Sequence, residues 1–269
     1  MIDIDSHYKN AKAVLWVEDP GTRAWLEAVW LGTAPTIRIL VAGGHISVKT
    51  VCEQARQAGH AHIFGLVDCD FGTTNRHKWG AIAPGQVYRL DVHEFENLLL
   101  DPVALAGCVL NTARRSTIDI QRKIELAVGR RIWWVACARV LAETQQAAVY
   151  GYPRQPGPIS SLSDAETHIF GSDWFDKVAL TCPSLASRAT VTAALHAAHG
   201  AANAAIADGS WRQRFPGKEI FEEIASYVQP NAIGSAGRTD LIKAIGAWQR
   251  SNGVPDQALE LRSCILARV

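Results

Sequence analysis

The chain has 269 residues, of which 48% are hydrophobic, so it can bury a sizeable core without disulfides or a structural metal. Its 27 basic and 26 acidic side chains leave a net charge of +1, which excludes a strongly basic nucleic-acid-binding chain and requires any such surface to be local. Six cysteines without a Cys-x-x-Cys pair argue against a zinc site and a disulfide framework, and the absence of a signal-peptide pattern or a membrane-length apolar run predicts a cytoplasmic protein without membrane contact.

The first predicted strand is the apolar run Ala13–Val17, which ends at Glu18. A continuous run of this kind is typical of a strand that is buried on both faces of a parallel sheet. Asp19 and Pro20 then predict the start of a helix, with Asp19 as the N-cap and Pro20 at the first helical position. Glu18 therefore stands at the carboxyl end of a strand, where open α/β sheets bind ligands.

Two further strands follow along the chain. The run Ile37–Val41 leads into Gly43 and Gly44, a pair that marks a tight turn or a close approach of the backbone to a phosphate, and then into a second helix. The third predicted strand is Ile63–Val67. A fourth is predicted over residues 85–90, so the order of elements indicates an α/β fold with a parallel sheet flanked by helices.

The third strand ends in two acidic residues, Asp68 and Asp70. Side chains alternate between the faces of a strand, so these carboxylates point the same way. Taken alone, the pair fits equally well with one Asp that caps the next helix and one that is solvated. Glu18, in the same setting at the end of the first strand, favours a shared site for a hard cation.

Two more carboxylates, Glu94 and Glu96, lie between the fourth strand and the following helix. They either extend the metal site or orient its ligands, or they favour the first turn of a helix through its dipole. The spacing does not separate these alternatives. Lys218, in the sequence Phe215-Pro216-Gly217-Lys218, does not belong to a phosphate-binding loop, because residue 212 is Arg and Glu219 replaces the Ser or Thr that holds magnesium.

From about residue 102 to 210 the pattern is helical. One stretch in it, residues 114–131, has a local surplus of four positive charges, with six basic side chains against Asp119 and Glu125. Such a face is usually solvated, but it also suits contacts with a phosphate backbone. The candidates for nucleic-acid binding are Arg114, Arg115, Arg122 and Lys123.

The Glu at the end of the first strand, the Asp-x-Asp at the end of the third and the parallel sheet resemble the Toprim domain of topoisomerases, primases and small nucleases, over residues 13–101. Three further motifs make the chain similar to the small stand-alone Toprim-like proteins related to OLD-family nucleases of bacterial anti-phage systems: Gly43-Gly44, the segment His93 to Leu99, and Phe215-Pro216-Gly217-Lys218. The family usually shows Val-Glu-Gly with another acid about four positions after the Glu, whereas in this chain Asp19-Pro20-Gly21-Thr22 follows Glu18. Either Asp19 substitutes for that second acid or one metal position is weakened.

The resemblance implies a Toprim-like core at 1–101, a mostly helical insertion at 102–210, and C-terminal helices at 211–269 that pack back on the core. It implies a metal-dependent endonuclease that acts as a toxin effector in antiviral defence, with DNA or RNA, tRNA included, as substrate and an ABC-type, OLD-like ATPase as partner. Small nucleases of this kind often act as dimers, so a homodimer is one expectation. The alternative is a degenerate, non-catalytic Toprim module that docks on an ATPase or on nucleic acid.

Phosphodiester hydrolysis requires charge neutralisation at phosphorus and an activated water, which Mg²⁺ or Mn²⁺ on oxygen ligands supplies. We therefore expect Glu18, Asp68 and Asp70 to be the metal ligands. By likeness to the family, Glu94 and Glu96 serve a second metal or orient the first, and Lys218 stabilises negative charge near the phosphate.

Overall fold

The computed structural model describes residues 11–31, 37–69, 87–148, 156–184, 186–230 and 234–269. Asp70 and residues 85–86 of the predicted fourth strand lie outside this part of the chain. The described residues form two compact units. The first contains 11–69, 87–121 and 217–269, and the second contains 122–216, each with the gaps given above.

The first unit is built on a parallel sheet, which confirms the predicted fold class. Three strands are buried along their whole length because both faces of the sheet are covered. Leu15 on the first strand lies opposite Ile39 on the second and Phe64 on the third. The four strands, in the spatial order β2-β1-β3-β4, are β1 (Ala13–Val17), β2 (Ile37–Val41), β3 (Ile63–Val67) and β4 (Val87–Arg89).

Two helices alternate with the first three strands. Helix α1 (Pro20–Val29) is amphipathic and buries Trp25 and Leu26. Helix α2 (His45–Gln57) buries Val48, Val51, Cys52 and Ala55, as its spacing predicts, against one face of β1, β3 and β4. Gly65 of β3 allows this close packing, since a Cβ there would lie 2.6 Å from Cγ1 of Val48.

Short elements follow β4 and complete this part of the first unit. They are α3 (Glu96–Leu99), α4 (Pro102–Gly107) and α5 (Thr117–Gly129), the last of which carries the chain into the second unit. The second unit has its own apolar core, to which Cys137, Leu141 and Leu195 contribute. Its helices are α6 (Ile132–Ala148), α7 (Leu162–Phe170), α8 (Asp173–Thr181) and α9 (Arg188–Ala207), followed by a 3₁₀ turn at Ser210–Gln213.

Three C-terminal helices return to the first unit: α10 (Gly217–Val228), α11 (Gly234–Asn252) and α12 (Asp256–Leu266). Helix α11 packs along α1. The buried Gln249 of α11 accepts a hydrogen bond from Nε1 of Trp25 at 2.8 Å and donates one to the carbonyl of Leu98 at 3.0 Å. This side chain therefore ties α1 and α3 to the C-terminal helices.

Two further features bear on the sequence-based expectations. None of the helices in the described residues is both long enough and apolar enough to cross a membrane. All six cysteines lie in the described part of the chain, and all are free thiols. Burial raises the pKa of Cys52 and of Cys137 to about 12, so both remain protonated at neutral pH.

Candidate functional site

The carboxyl ends of β1 and β3 are joined by a side chain. Oε1 of Glu18, directly after β1, accepts a hydrogen bond of 2.9 Å from the main-chain N–H of Asp68, directly after β3. The two strands are neighbours in the sheet, so residues that leave them at the same edge lie side by side. Glu18 and Asp68 are thus brought together as the sequence predicts.

Asp68 is fixed in turn by the segment that follows β4. Its Oδ1 accepts a hydrogen bond of 3.0 Å from the main-chain N–H of Phe95. The N–H of Cys69 donates to the carbonyl of His93 at 3.1 Å, which adds a second link between the same two segments. The side chain that is expected to bind metal is consequently held on a rigid main-chain frame.

The turn after β2 places a histidine beside Glu18. Gly43 and Gly44 have φ values of 91° and 142°, and His45 begins α2 immediately afterwards. Nδ1 of His45 lies 3.5 Å from Oε1 of Glu18. The sequence predicts a tight turn or a close approach of the backbone to a phosphate at the glycine pair, and it does not single out His45. The strand-end rule that predicts Glu18 and Asp68 applies equally to a residue that follows a strand next to β1.

Asp19 serves as the N-cap of α1, as predicted. Its Oδ1 accepts hydrogen bonds from the N–H groups of Gly21 and Thr22 at 2.6 Å and 3.1 Å, and its Oδ2 accepts one from the Thr22 hydroxyl at 2.7 Å. Both oxygens are therefore engaged in starting the helix. This capping role accounts for Asp19 without a metal.

The fold carries Lys218 to the carboxylates after β4. The main-chain N–H of Lys218 donates a hydrogen bond of 2.7 Å to Oε2 of Glu94. Gly217 packs against Asn97 so closely that a Cβ would lie 2.7 Å from the Asn97 nitrogen. Gly217 and Lys218 at the start of α10 thus contact Asn97 and Glu94, while the side chain of Lys218 is exposed.

Glu96 is a buried acid with unusual electrostatics. Only 9% of the residue is exposed, which excludes the ordinary surface position that a helix first turn would give it. Burial raises its pKa to about 8, and the negative charges of Glu94 and Asp19 act in the same direction. Arg238 and a backbone hydrogen bond oppose the increase. Glu96 is therefore mostly protonated at neutral pH.

The predicted basic residues differ from one another in their surroundings. Arg115 lies over the ring of Tyr227, with its guanidinium carbon 4.2 Å from the ring centroid, and its Nε donates to the Tyr227 carbonyl at 3.3 Å. Arg114 is exposed and has a φ of 50°, a left-handed conformation that favours glycine. Arg122 is exposed on α5, whereas Lys123 is half-buried.

The predicted metal ligands are only partly brought together in the described residues. Glu18 and Asp68 are in contact, Glu94 and Glu96 interact electrostatically, and Asp70 lies outside the described chain. Within the described ranges, no three His, Cys, Asp or Glu side chains are grouped to hold a metal ion. The metal assignments stay predictions.

The sequence was also compared with known proteins. No family model, no curated protein and no solved structure matches the chain. The likeness to Toprim proteins stays a prediction that rests on the motifs around Glu18, Asp68 and Lys218.

Proposed function

We propose that this chain is a metal-dependent nuclease of the Toprim type, which hydrolyses phosphodiester bonds in DNA or RNA. The observation that carries the proposal is the hydrogen bond between the Asp68 N–H and Oε1 of Glu18, because it joins two acidic strand ends at the ligand-binding edge of a parallel sheet.

The donor chemistry fits Mg²⁺ or Mn²⁺, which prefer carboxylate oxygens. Glu18 and Asp68, with Asp70, are the residues that would hold the ion. When bound, such an ion neutralises charge on the phosphate and lowers the pKa of a coordinated water. The chain's own part is to hold the ligands: Oε1 of Glu18 and Oδ1 of Asp68 each accept a main-chain N–H, which fixes the direction of both carboxylates.

Lys218 and the Glu94–Glu96 segment support the same proposal. The hydrogen bond from the Lys218 N–H to Glu94 anchors the start of α10, and the side chain of Lys218 is exposed to incoming ligands. In the proposed enzyme, its ammonium group would stabilise negative charge on a bound phosphate. Glu96, mostly protonated at neutral pH, would add a negative charge beside Glu94 only on losing its proton.

A second candidate function is a non-catalytic module that docks on an ATPase or on nucleic acid. The observation that favours it is the capping role of Asp19, whose two carboxylate oxygens are both engaged in hydrogen bonds at the start of α1. Asp19, the acid that follows Glu18 most closely, therefore stabilises the start of α1 rather than a metal ion. The likeness to anti-phage proteins extends either candidate to a defence role under the control of a partner ATPase.

The deciding experiment compares the wild type with Asp68→Asn on plasmid DNA and total RNA, in Mn²⁺, Mg²⁺ or EDTA. Asn keeps an oxygen that can accept the Phe95 N–H, so the variant should fold and yet lose cleavage. The matched control is Asp101→Asn, since Asp101 also accepts a main-chain N–H at 2.9 Å, from Val103, as the cap of α4. We expect the control to cleave at the wild-type rate.

Wild-type activity that survives in Asp68→Asn would contradict the nuclease proposal. Should neither protein cleave, calorimetric titration with Mn²⁺ separates the two candidates. Tight binding that is abolished in Asp68→Asn would retain the nuclease, now dependent on its partner. No binding by the wild type would favour the docking module.

A further inference from the structure

The turn after β2 positions the residue that follows it, His45. Both of its glycines adopt positive φ angles, yet a Cβ on Gly43 or Gly44 would meet no atom within 4 Å. Glycine is required here by the backbone conformation rather than by lack of space. The turn is also bonded to the end of β1, because the N–H groups of Ala42 and Gly43 donate to the carbonyls of Val17 and Glu18 at 2.9 Å and 3.1 Å.

This turn delivers His45 to Glu18. The side chain of His45 is 18% exposed, but its Nδ1 is buried and makes no hydrogen bond of standard geometry within the described part of the chain. The structure places Oε1 of Glu18 3.5 Å from this nitrogen. A buried ring nitrogen needs a polar partner, and a carboxylate oxygen at this distance can accept an Nδ1–H after a small movement of either side chain.

Oε1 of Glu18 is then shared between two donors. One is the N–H of Asp68 at 2.9 Å, and the other is Nδ1 of His45. An oxygen has two lone pairs, so both donors can be satisfied at once. With Oε1 held from two sides, the remaining oxygen of Glu18 has a fixed direction, which is what a carboxylate ligand requires of its surroundings.

From this geometry we infer that His45 is a positioning residue for Glu18: its ring donates Nδ1–H to Oε1 and orients the carboxylate for Mg²⁺ or Mn²⁺. The inference rests on the proposed function and deepens it, since His45 acts on the same site through Glu18. The glycine pair before His45 then has a defined purpose, which is to turn the chain so that the first residue of α2 faces the end of β1.

The test is the affinity for Mn²⁺ alone, measured by electron paramagnetic resonance titration of the purified full chain. His45→Ala removes the donor and should weaken Mn²⁺ binding about 10-fold or more, as removal of a hydrogen-bond partner from a ligand does in other metal sites. His45→Asn places an amide N–H near the position of Nδ1 and should retain most of the affinity. His45→Gln places its amide near the position of Nε2 and should not.

The matched control is His62→Ala, because His62 precedes β3 at the opposite edge of the sheet and contributes its main-chain carbonyl to Val14, which alanine keeps. This variant should bind Mn²⁺ as the wild type does. If His45→Ala does not fold, the comparison of His45→Asn with His45→Gln still tests the inference, since both retain a polar side chain.

Wild-type Mn²⁺ affinity in His45→Ala, or equal affinities in His45→Asn and His45→Gln, would overturn the positioning role and leave the proposed nuclease standing. Absence of Mn²⁺ binding by the wild type would overturn the proposed function, and the role of His45 with it.

Discussion

The main-chain N–H of Lys218 donates to Oε2 of Glu94 over 2.7 Å, between residues that are 124 positions apart in the chain. Glu94 thereby caps α10 from a different segment, with its negative charge at the positive end of the helix dipole. The same carboxylate is a candidate metal ligand, so its structural and chemical roles have to be separated by experiment.

Replacing Glu94 separates these roles. Glu94→Ala removes the cap and should lower the free energy of unfolding by about 1 kcal/mol, whereas Glu94→Gln keeps an acceptor oxygen and should cost less. Urea unfolding followed by circular dichroism measures both. If Glu94 also binds metal, Glu94→Gln should show weaker Mn²⁺ binding despite near-normal stability. Equal stability of the two variants would mean that the hydrogen bond from Lys218 contributes nothing measurable.

The contact of Gly217 with Asn97 predicts that adding a single methyl group at Gly217 strongly destabilises the fold. A Cβ at Gly217 would lie 2.7 Å from the Asn97 main-chain nitrogen and 2.8 Å from its Nδ2, so Gly217→Ala must push α10 away from α3. We expect the unfolding free energy to fall by about 1 to 3 kcal/mol.

The same substitution at Gly200 is the control. Gly200 lies within α9, and a Cβ there meets nothing within 4 Å, so Gly200→Ala should be neutral or stabilise by up to about 1 kcal/mol. Thermal melts of the two variants, measured side by side, compare their stabilities and test this prediction. A Gly217→Ala protein as stable as the wild type would show that α10 does not pack against α3 in this way.

The raised pKa of Glu96 predicts that the free energy of unfolding decreases as the pH rises. Its pKa in the folded protein is raised to about 8, so the fold favours the protonated form, and the stability that this contributes is lost as pH rises from about 5 to above 8. The slope should approach about −1.4 kcal/mol per pH unit at most. Glu96→Gln mimics the neutral acid and should flatten this dependence.

The measurement is urea unfolding of both proteins between pH 5 and 9 in EDTA, which keeps metal out of the comparison. Above pH 8 the Glu96→Gln variant should be the more stable protein. Parallel profiles for the variant and the wild type would show that Glu96 is ionised without cost in the fold.

The neighbouring residues Arg114 and Arg115 should respond differently to substitution. Arg114 has a φ of 50° and an exposed side chain, so Arg114→Gly should relieve about 1 kcal/mol of backbone strain while it removes a charge. Nucleic-acid affinity should fall, and the slope of log K against log salt should become shallower by about 0.9 for each phosphate that the variant no longer neutralises.

Arg115→Ala is the contrasting variant. It removes the stacking on Tyr227 and the hydrogen bond to its carbonyl, so it should lower stability by roughly 0.5 to 1 kcal/mol. Fluorescence anisotropy with labelled DNA and RNA at several salt concentrations measures binding. Unchanged binding by Arg114→Gly would remove Arg114 from the candidate interface.

The sequence predicts those features whose cause is local. The continuous apolar runs of β1 and β3 identify buried parallel strands, and Asp19 with Pro20 predicts the start of α1 because an N-cap bonds to groups two and three residues further on. The pairing of Glu18 with Asp68 can also be predicted from the sequence, since neighbouring parallel strands end at the same edge of the sheet.

Other features depend on contacts that the sequence does not encode locally. Nothing near Glu94 in the chain indicates that its partner is the main chain of Lys218, and the burial of Glu96 follows from packing rather than from its place at the start of a helix. His45 was missed because its importance comes from the neighbouring strand and not from its own pattern. Long-range packing therefore decides the surroundings of the site.

The separation of 124 residues between Glu94 and Lys218 also affects how the protein is made. At about 5 to 20 residues per second, a ribosome needs roughly 6 to 25 s to synthesise the chain between the two partners. During that interval the nascent chain already carries Glu18 and Asp68 but lacks Lys218 and the cap of α10. The surroundings of Glu94 are thus completed only late in translation, after the residues that are expected to hold the metal have been synthesised.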